Sequence, residues 1–120
     1  MNDIENSGGT GRLYRPLIYI CSDVDIGGEE RTEEFCRFAL KKGQIPLASN
    51  LLFSRLMPGK AEEDLELRSF MDVVLMGKCE EVWVLTDSFS HQMRMQIDKA
   101  VKRRQKVRYF NSRFEEVFPG

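Results

Sequence analysis

Short apolar runs alternate with stretches of helical period in this chain, and the first three runs each end in a small polar cluster. Leu17-Ile18-Tyr19-Ile20 leads into Cys21-Ser22-Asp23, Ile45-Pro46-Leu47-Ala48 into Ser49-Asn50, and Val82-Trp83-Val84-Leu85 into Thr86-Asp87-Ser88. A continuous apolar run is the pattern of a strand covered on both faces. Between the runs the period changes. Thr32, Phe35, Cys36 and Ala39 recur at helical spacing over residues 29–42, with Gly43 as a stop. Residues 61–76 read as a second helix with Leu67, Met71, Val74 and Leu75 as its buried stripe and Glu62, Glu63, Glu66 and Arg68 outside. Residues 90–104 read as a third, capped by Ser90, with Met93, Ile97, Ala100 and Val101 inward. A fourth strand follows over residues 106–110, residues 50–60 read as a loop, and the tail from Asn111 shows no clear period.

Alternating strands and helices call for a mostly parallel sheet with right-handed crossovers. The expected fold is a small doubly wound α/β domain, Rossmann-like or flavodoxin-like, with about four or five strands flanked by helices. In such sheets ligands bind in the crevice beyond the carboxyl ends of the strands. If the strands run parallel, all three polar clusters meet on that edge, so the pattern points to a small-molecule site.

The 120 residues, 42% of them hydrophobic and 31% charged, suit one core and not two. Residues 1–15, with Ser7-Gly8-Gly9-Thr10-Gly11, read as a flexible arm, and residues 16–120 as a single domain. A formal charge of -1 argues against general nucleic-acid binding, which favours a basic surplus. No apolar run reaches the roughly 20 residues of a membrane span. An odd count of three cysteines without metal-site spacing suits reduced thiols and a cytoplasmic location. His91 is the single histidine, so the spacing offers neither a metal cluster nor a Cys–His pair, and no cofactor is implied.

The candidate residues each carry two readings. Asp23 and Asp25, in the loop after the first strand, can hydrogen-bond sugar hydroxyls or act as acid and base; Asp is equally at home in a solvated turn. Asp87, Ser88 and Ser90 stand at a helix start whose free N–H groups favour an anion, yet simple capping also explains them. His91 can stack on a base or move a proton, or be a surface residue. Gln96 can read the edge of a base through its amide, or be an exposed helix polar. Cys21, Ser22 and Asn50 sit at strand ends on the expected rim. Gly27-Gly28 lacks a phosphate-binding fingerprint, and Glu29 and Glu30 behind it make that corner a poor anion site. Arg55 and Arg68 are phosphate partners or surface charges. Lys102-Arg103-Arg104 with Lys106 reads as a solvated helix end, and Trp83 as core.

Leu17 to Ser22, Cys36-Arg37-Phe38-Ala39, Gly43 to Ala48, Leu51-Leu52-Phe53, Cys79 to Val84 and Lys106 to Phe110 together resemble, in order, the nucleoside 2-deoxyribosyltransferase-like domains. The resemblance covers residues 17–110. It implies a small doubly wound sheet that binds a nucleoside or nucleotide, and assembly as a homodimer or higher oligomer with sites close to subunit contacts. It also implies a carboxylate nucleophile that takes the sugar from one base and hands it to another. Here the chain departs from the pattern. Gln96 stands where active members carry the nucleophilic Glu, and an amide cannot form the glycosyl ester. Asn50 stands where the family has His, and Asp23-Val24-Asp25 where it often has Pro-Tyr. An acid on the second helix assists in related transferases, and Asp72 occupies that place. Three expectations follow. The first is a nucleoside- or nucleotide-binding protein with weak or lost sugar transfer. The second is an N-glycosidic hydrolase or transferase in which Asp72, Asp87 or Asp25 replaces the Glu. The third is a non-catalytic module that sequesters a nucleotide-derived signal or binds a protein partner.

Overall fold

The computed structural model describes residues 14–25 and 27–118, so the expected arm over residues 1–15 lies almost wholly outside the described residues. The chain folds as β1 (Leu17–Cys21), α1 (Gly28–Lys41), β2 (Ile45–Leu47), α2 (Ser49–Leu56), α3 (Glu62–Met76), β3 (Glu81–Leu85), α4 (His91–Lys102), β4 (Lys106–Phe110) and β5 (Glu116–Val117). The strands form one sheet in the order β2-β1-β3-β4-β5. The β1–β2, β1–β3 and β3–β4 pairs are parallel, and β5 joins β4 antiparallel. This is the expected α/β architecture, a mostly parallel sheet flanked by helices.

Strand alternation splits the core into two clusters. Tyr19, Cys21, Val82 and Val84 face Met76 of α3 and Met93 and Ala100 of α4. Ile18, Ile20, Trp83, Leu85 and Phe110 face Phe35 and Ala39 of α1. The central strands β1 and β3 are therefore buried on both faces, which is why their sequences lack polar alternation. Trp83 is core as expected, 2% exposed, with its ring 4.8 Å from Phe110 and its Nε1–H donating to Glu81 Oε1 at 2.9 Å.

Three expectations need correction. Residues 50–60 are not all loop: Ser49–Leu56 forms α2, which packs on β1 and α3. Eight residues are too few for the apolar run Leu51-Leu52-Phe53 to display a helical period. Second, α3 has the expected span but turns a different face inward. Arg68, Asp72 and Met76 are its buried residues, while Leu67, Phe70 and Val74 are exposed. Its inner face meets a polar knot through Arg68 and Asp72 and hydrocarbon only at Met76, so hydropathy selects the outer face. Third, Val101 of α4 is exposed. The tail adds the short β5, held by Arg108 through Glu116 at 2.7 Å.

Candidate functional site

The chain leaves β1 toward β2 on one side of the sheet and leaves β3 toward β4 on the other, so the carboxyl ends of β1 and β3 are the topological switch point. A hollow of about 280 Å³ lies there. It is lined by Ser22, Asp23 and Asp25 after β1, by Leu85, Asp87 and Ser88 after β3, and by Gly27, Gly28 and Arg31 at the start of α1. Glycine is required at two of these places for different reasons. Gly27 caps α1 at φ +79°, in the left-handed region, with open space around it. At Gly28 a Cβ would overlap the backbone carbonyl of Asp23, so only glycine lets α1 start this close to the loop after β1.

The crevice groups are already oriented by one another. Ser88 Oγ donates to Asp23 Oδ2 at 3.0 Å, and the Asp25 N–H donates to Asp23 Oδ1 at 3.0 Å. Arg31 Nε donates to Asp87 Oδ2 at 2.9 Å while its other nitrogens reach Glu34 and the Ser112 carbonyl. Ser22 is buried, its Oγ 2.7 Å from Thr32 Oγ1.

Behind the crevice, on the α3–α4 face, lies a knot of buried polar side chains. Asp72 is 0% exposed. Ser49 Oγ donates to its Oδ1 at 2.6 Å, and Gln92 Nε2 donates to its Oδ2 at 2.9 Å. The Tyr19 hydroxyl lies 3.0 Å from Ser49 Oγ. Asn50 and Gln96 pair amide to amide: Gln96 Nε2 donates to Asn50 Oδ1 at 3.0 Å, and Asn50 Nδ2 to Gln96 Oε1 at 3.3 Å. Asn50 Nδ2 also reaches the Ser22 carbonyl at 3.4 Å, which links the knot to the crevice rim. The Cys21 thiol donates to Gln96 Oε1 at 3.4 Å.

Burial pushes the Asp72 carboxyl up to about 6, against the opposing pull of Ser49, the Arg68 guanidinium and Gln92. Burial, followed by the nearby Asp72 carboxylate, raises Cys21 and Tyr19 well above their ordinary ranges, so both stay protonated donors at neutral pH. Cys21 is consequently no nucleophile.

A second hollow, about 780 Å³, opens between the first half of α3 and the start of α4. Arg68, Ser69, Ser90, His91 and Gln92 line it, with Lys60, Glu62 and Glu66 also contributing. Asp25 lines both hollows, so the two adjoin. Ser90 is the N-cap of α4, its Oγ accepting from Met93 N at 3.1 Å.

The expected site residues thus fall into three adjoining groups. Asp23, Asp25, Asp87, Ser88 and the rim residue Ser22 meet at the crevice; Cys21, Asn50, Asp72 and Gln96 are interior; Ser90 and His91 face the second hollow. Gln96, 2% exposed, is not an exposed helix polar. Asp72 and Asp87 do not share a hollow or a hydrogen bond among the described residues. Sequence reasoning gave no site role to Tyr19 or Gln92, named Ser49 only as part of a strand-end cluster, and placed Arg68 on the outer face as a phosphate partner or surface charge. The spacings Arg68/Asp72 and Gln92/Gln96, each i,i+4, were the available signal: two polar pairs on one face of two helices. Among the described residues no group of three or more His, Cys, Asp or Glu side chains comes together to hold a metal ion, and no helix is long and apolar enough to cross a membrane.

Residues 16–110 match a family described as a domain of unknown function, DUF7768. The chain belongs to that family. Nothing matches among curated proteins, and nothing matches among solved structures.

Proposed function

We propose that the chain binds a nucleoside or nucleotide in the crevice at the carboxyl ends of β1 and β3, with N-glycosidic sugar transfer weak or lost. The observation that carries this reading is the convergence of Asp23, Asp87 and Ser88 on the switch point. Two carboxylates and a hydroxyl line that hollow of about 280 Å³ and supply polar groups that a sugar edge can hydrogen-bond. The resemblance in sequence to nucleoside 2-deoxyribosyltransferase-like domains supports the same ligand class. Loss of transfer rests on Gln96, an amide where that resemblance expects a carboxylate, and on Asp72, whose two oxygens are both engaged and which solvent does not reach. The reading includes a cytoplasmic location, supported by the free thiols of Cys21, Cys36 and Cys79, and self-association, supported by the resemblance and by the apolar outer face of α3.

Titration calorimetry with nucleosides and mononucleotides tests binding. Asp87→Ala should weaken the ligand that binds by about tenfold, the worth of one charge-assisted hydrogen bond. The fold should survive it, because Arg31 keeps Glu34, the Ser112 carbonyl and the Phe114 ring. Unchanged affinity would remove Asp87 from the site. Incubation with a deoxynucleoside and a free base tests turnover, and brisk base exchange would overturn the loss of transfer.

A further inference from the structure

Among the described residues, Arg68 is a buried charge with few partners. It is 7% exposed, yet among the described residues its guanidinium makes one hydrogen bond, from Nη1 to the Met57 carbonyl at 3.3 Å. Its Nε is buried without a partner. The neighbouring carboxylate one turn on, Asp72, lends it a favourable field, but its recorded side-chain hydrogen bonds go to Ser49 and Gln92 and none goes to Arg68. A buried guanidinium nitrogen without a partner is costly unless an acceptor meets it. The Nε side of a guanidinium is a fork that engages carboxylate or phosphate oxygens in pairs.

Arg68 lines the second hollow, and the opposite wall supplies the rest of an anion site. There α4 begins, with Met93 N held by Ser90 Oγ and Arg94 N by the Ser90 carbonyl, so that the N–H groups of His91 and Gln92 precede the helical ladder. A twelve-residue helix directs its partial positive charge to that end. The hydroxyl of Ser69 and the side chains of His91 and Lys60 lie around the same space. Asp25, Glu62 and Glu66 line it too, but all three are exposed and screened by water, whereas Arg68 is not.

We infer that the second hollow is a phosphate subsite: Arg68, the start of α4 and Ser69 hold the phosphate of a ligand whose nucleoside part occupies the adjoining crevice. The inference rests on the nucleoside-binding reading above and sharpens it to a phosphorylated nucleoside. Asp25, shared by both hollows, marks where sugar and phosphate would join.

The test is calorimetry on the whole chain with the four common 2′-deoxynucleosides and their 5′-monophosphates. The wild type should bind the monophosphate about tenfold or more tightly than the matching nucleoside, as a charge-assisted bidentate pair implies. Arg68→Lys keeps the charge but removes the fork, and should cut that preference to about threefold or less while leaving nucleoside affinity unchanged. Should Arg68→Lys fail to fold, His91→Ala and Lys60→Ala, both at exposed positions, decide instead: each should reduce the preference and spare the nucleoside. Equal affinity for nucleoside and monophosphate, or a preference that persists undiminished in the folded variants, overturns the subsite and leaves the crevice reading standing. Binding of neither ligand overturns both.

Discussion

At the scale of single residues, Asp72 sets the pH response of the fold. Its carboxyl is held up to about 6 by burial, against an ordinary value of 3.8 in the unfolded chain. The folded state therefore keeps its proton more tightly, and stability falls as pH rises through the window from about 4 to 6. The whole effect is at most roughly 3 kcal/mol. Asp72→Asn preserves shape and the acceptor for Ser49, and Gln92 can turn its amide to offer an oxygen. Urea unfolding at several pH values should show the wild type gaining stability relative to Asp72→Asn as pH drops from 7 to 4. A difference that stays constant across that range would mean the buried carboxyl titrates normally. The same knot explains Gln96. Its NH₂ meets the Asn50 oxygen, so Gln96→Glu would set acceptor against acceptor and add a second buried acid beside Asp72. We expect that substitution to cost about 2 kcal/mol or more at pH 7, and less at pH 5, where the new carboxyl can protonate.

At the scale of elements, the start of α1 distinguishes two kinds of glycine. Gly27→Ala meets nothing, so it carries only the strain of a left-handed backbone, about 1 kcal/mol. Gly28→Ala runs into the Asp23 carbonyl, and backbone cannot swing away as a side chain can. It should lower the melting temperature more than Gly27→Ala and also weaken ligand binding, because Asp23 lines the crevice. Equal effects of the two substitutions would sink the close-approach argument. The helices also show what was legible beforehand. Strands β1 and β3 were plain in the sequence because both of their faces meet hydrocarbon. The span of α3 was plain from its length, but its inward face was not, since Arg68 and Asp72 point to a polar interior that no hydropathy pattern favours. Crevice residues such as Asp87 were readable as strand-end polars, whereas the pairing of Asn50 with Gln96 depends on α2 existing, and eight residues gave it too little period to be seen.

At the scale of the whole molecule, the misread face of α3 becomes informative. Leu67, Phe70 and Val74 stand 48%, 66% and 42% exposed, at spacings of three and four that form one stripe along the helix. On neighbouring α2, Leu52 and Leu56 are exposed as well. A stripe of this kind on a helix whose other face is committed to a polar knot has no counterpart within the described residues. The self-association proposed above would use it, with α3 of one copy against a second copy. Light scattering should then give a mass that is a multiple of 13.9 kDa, and Phe70→Glu should lower it toward the single-chain value. Because Phe70 makes so little of its contact within the chain, the same substitution should change the stability of the single fold by no more than about 0.5 kcal/mol. A wild-type mass of one chain at millimolar concentration would withdraw the assembly. A multiple mass indifferent to Phe70→Glu would keep assembly but move it off α3.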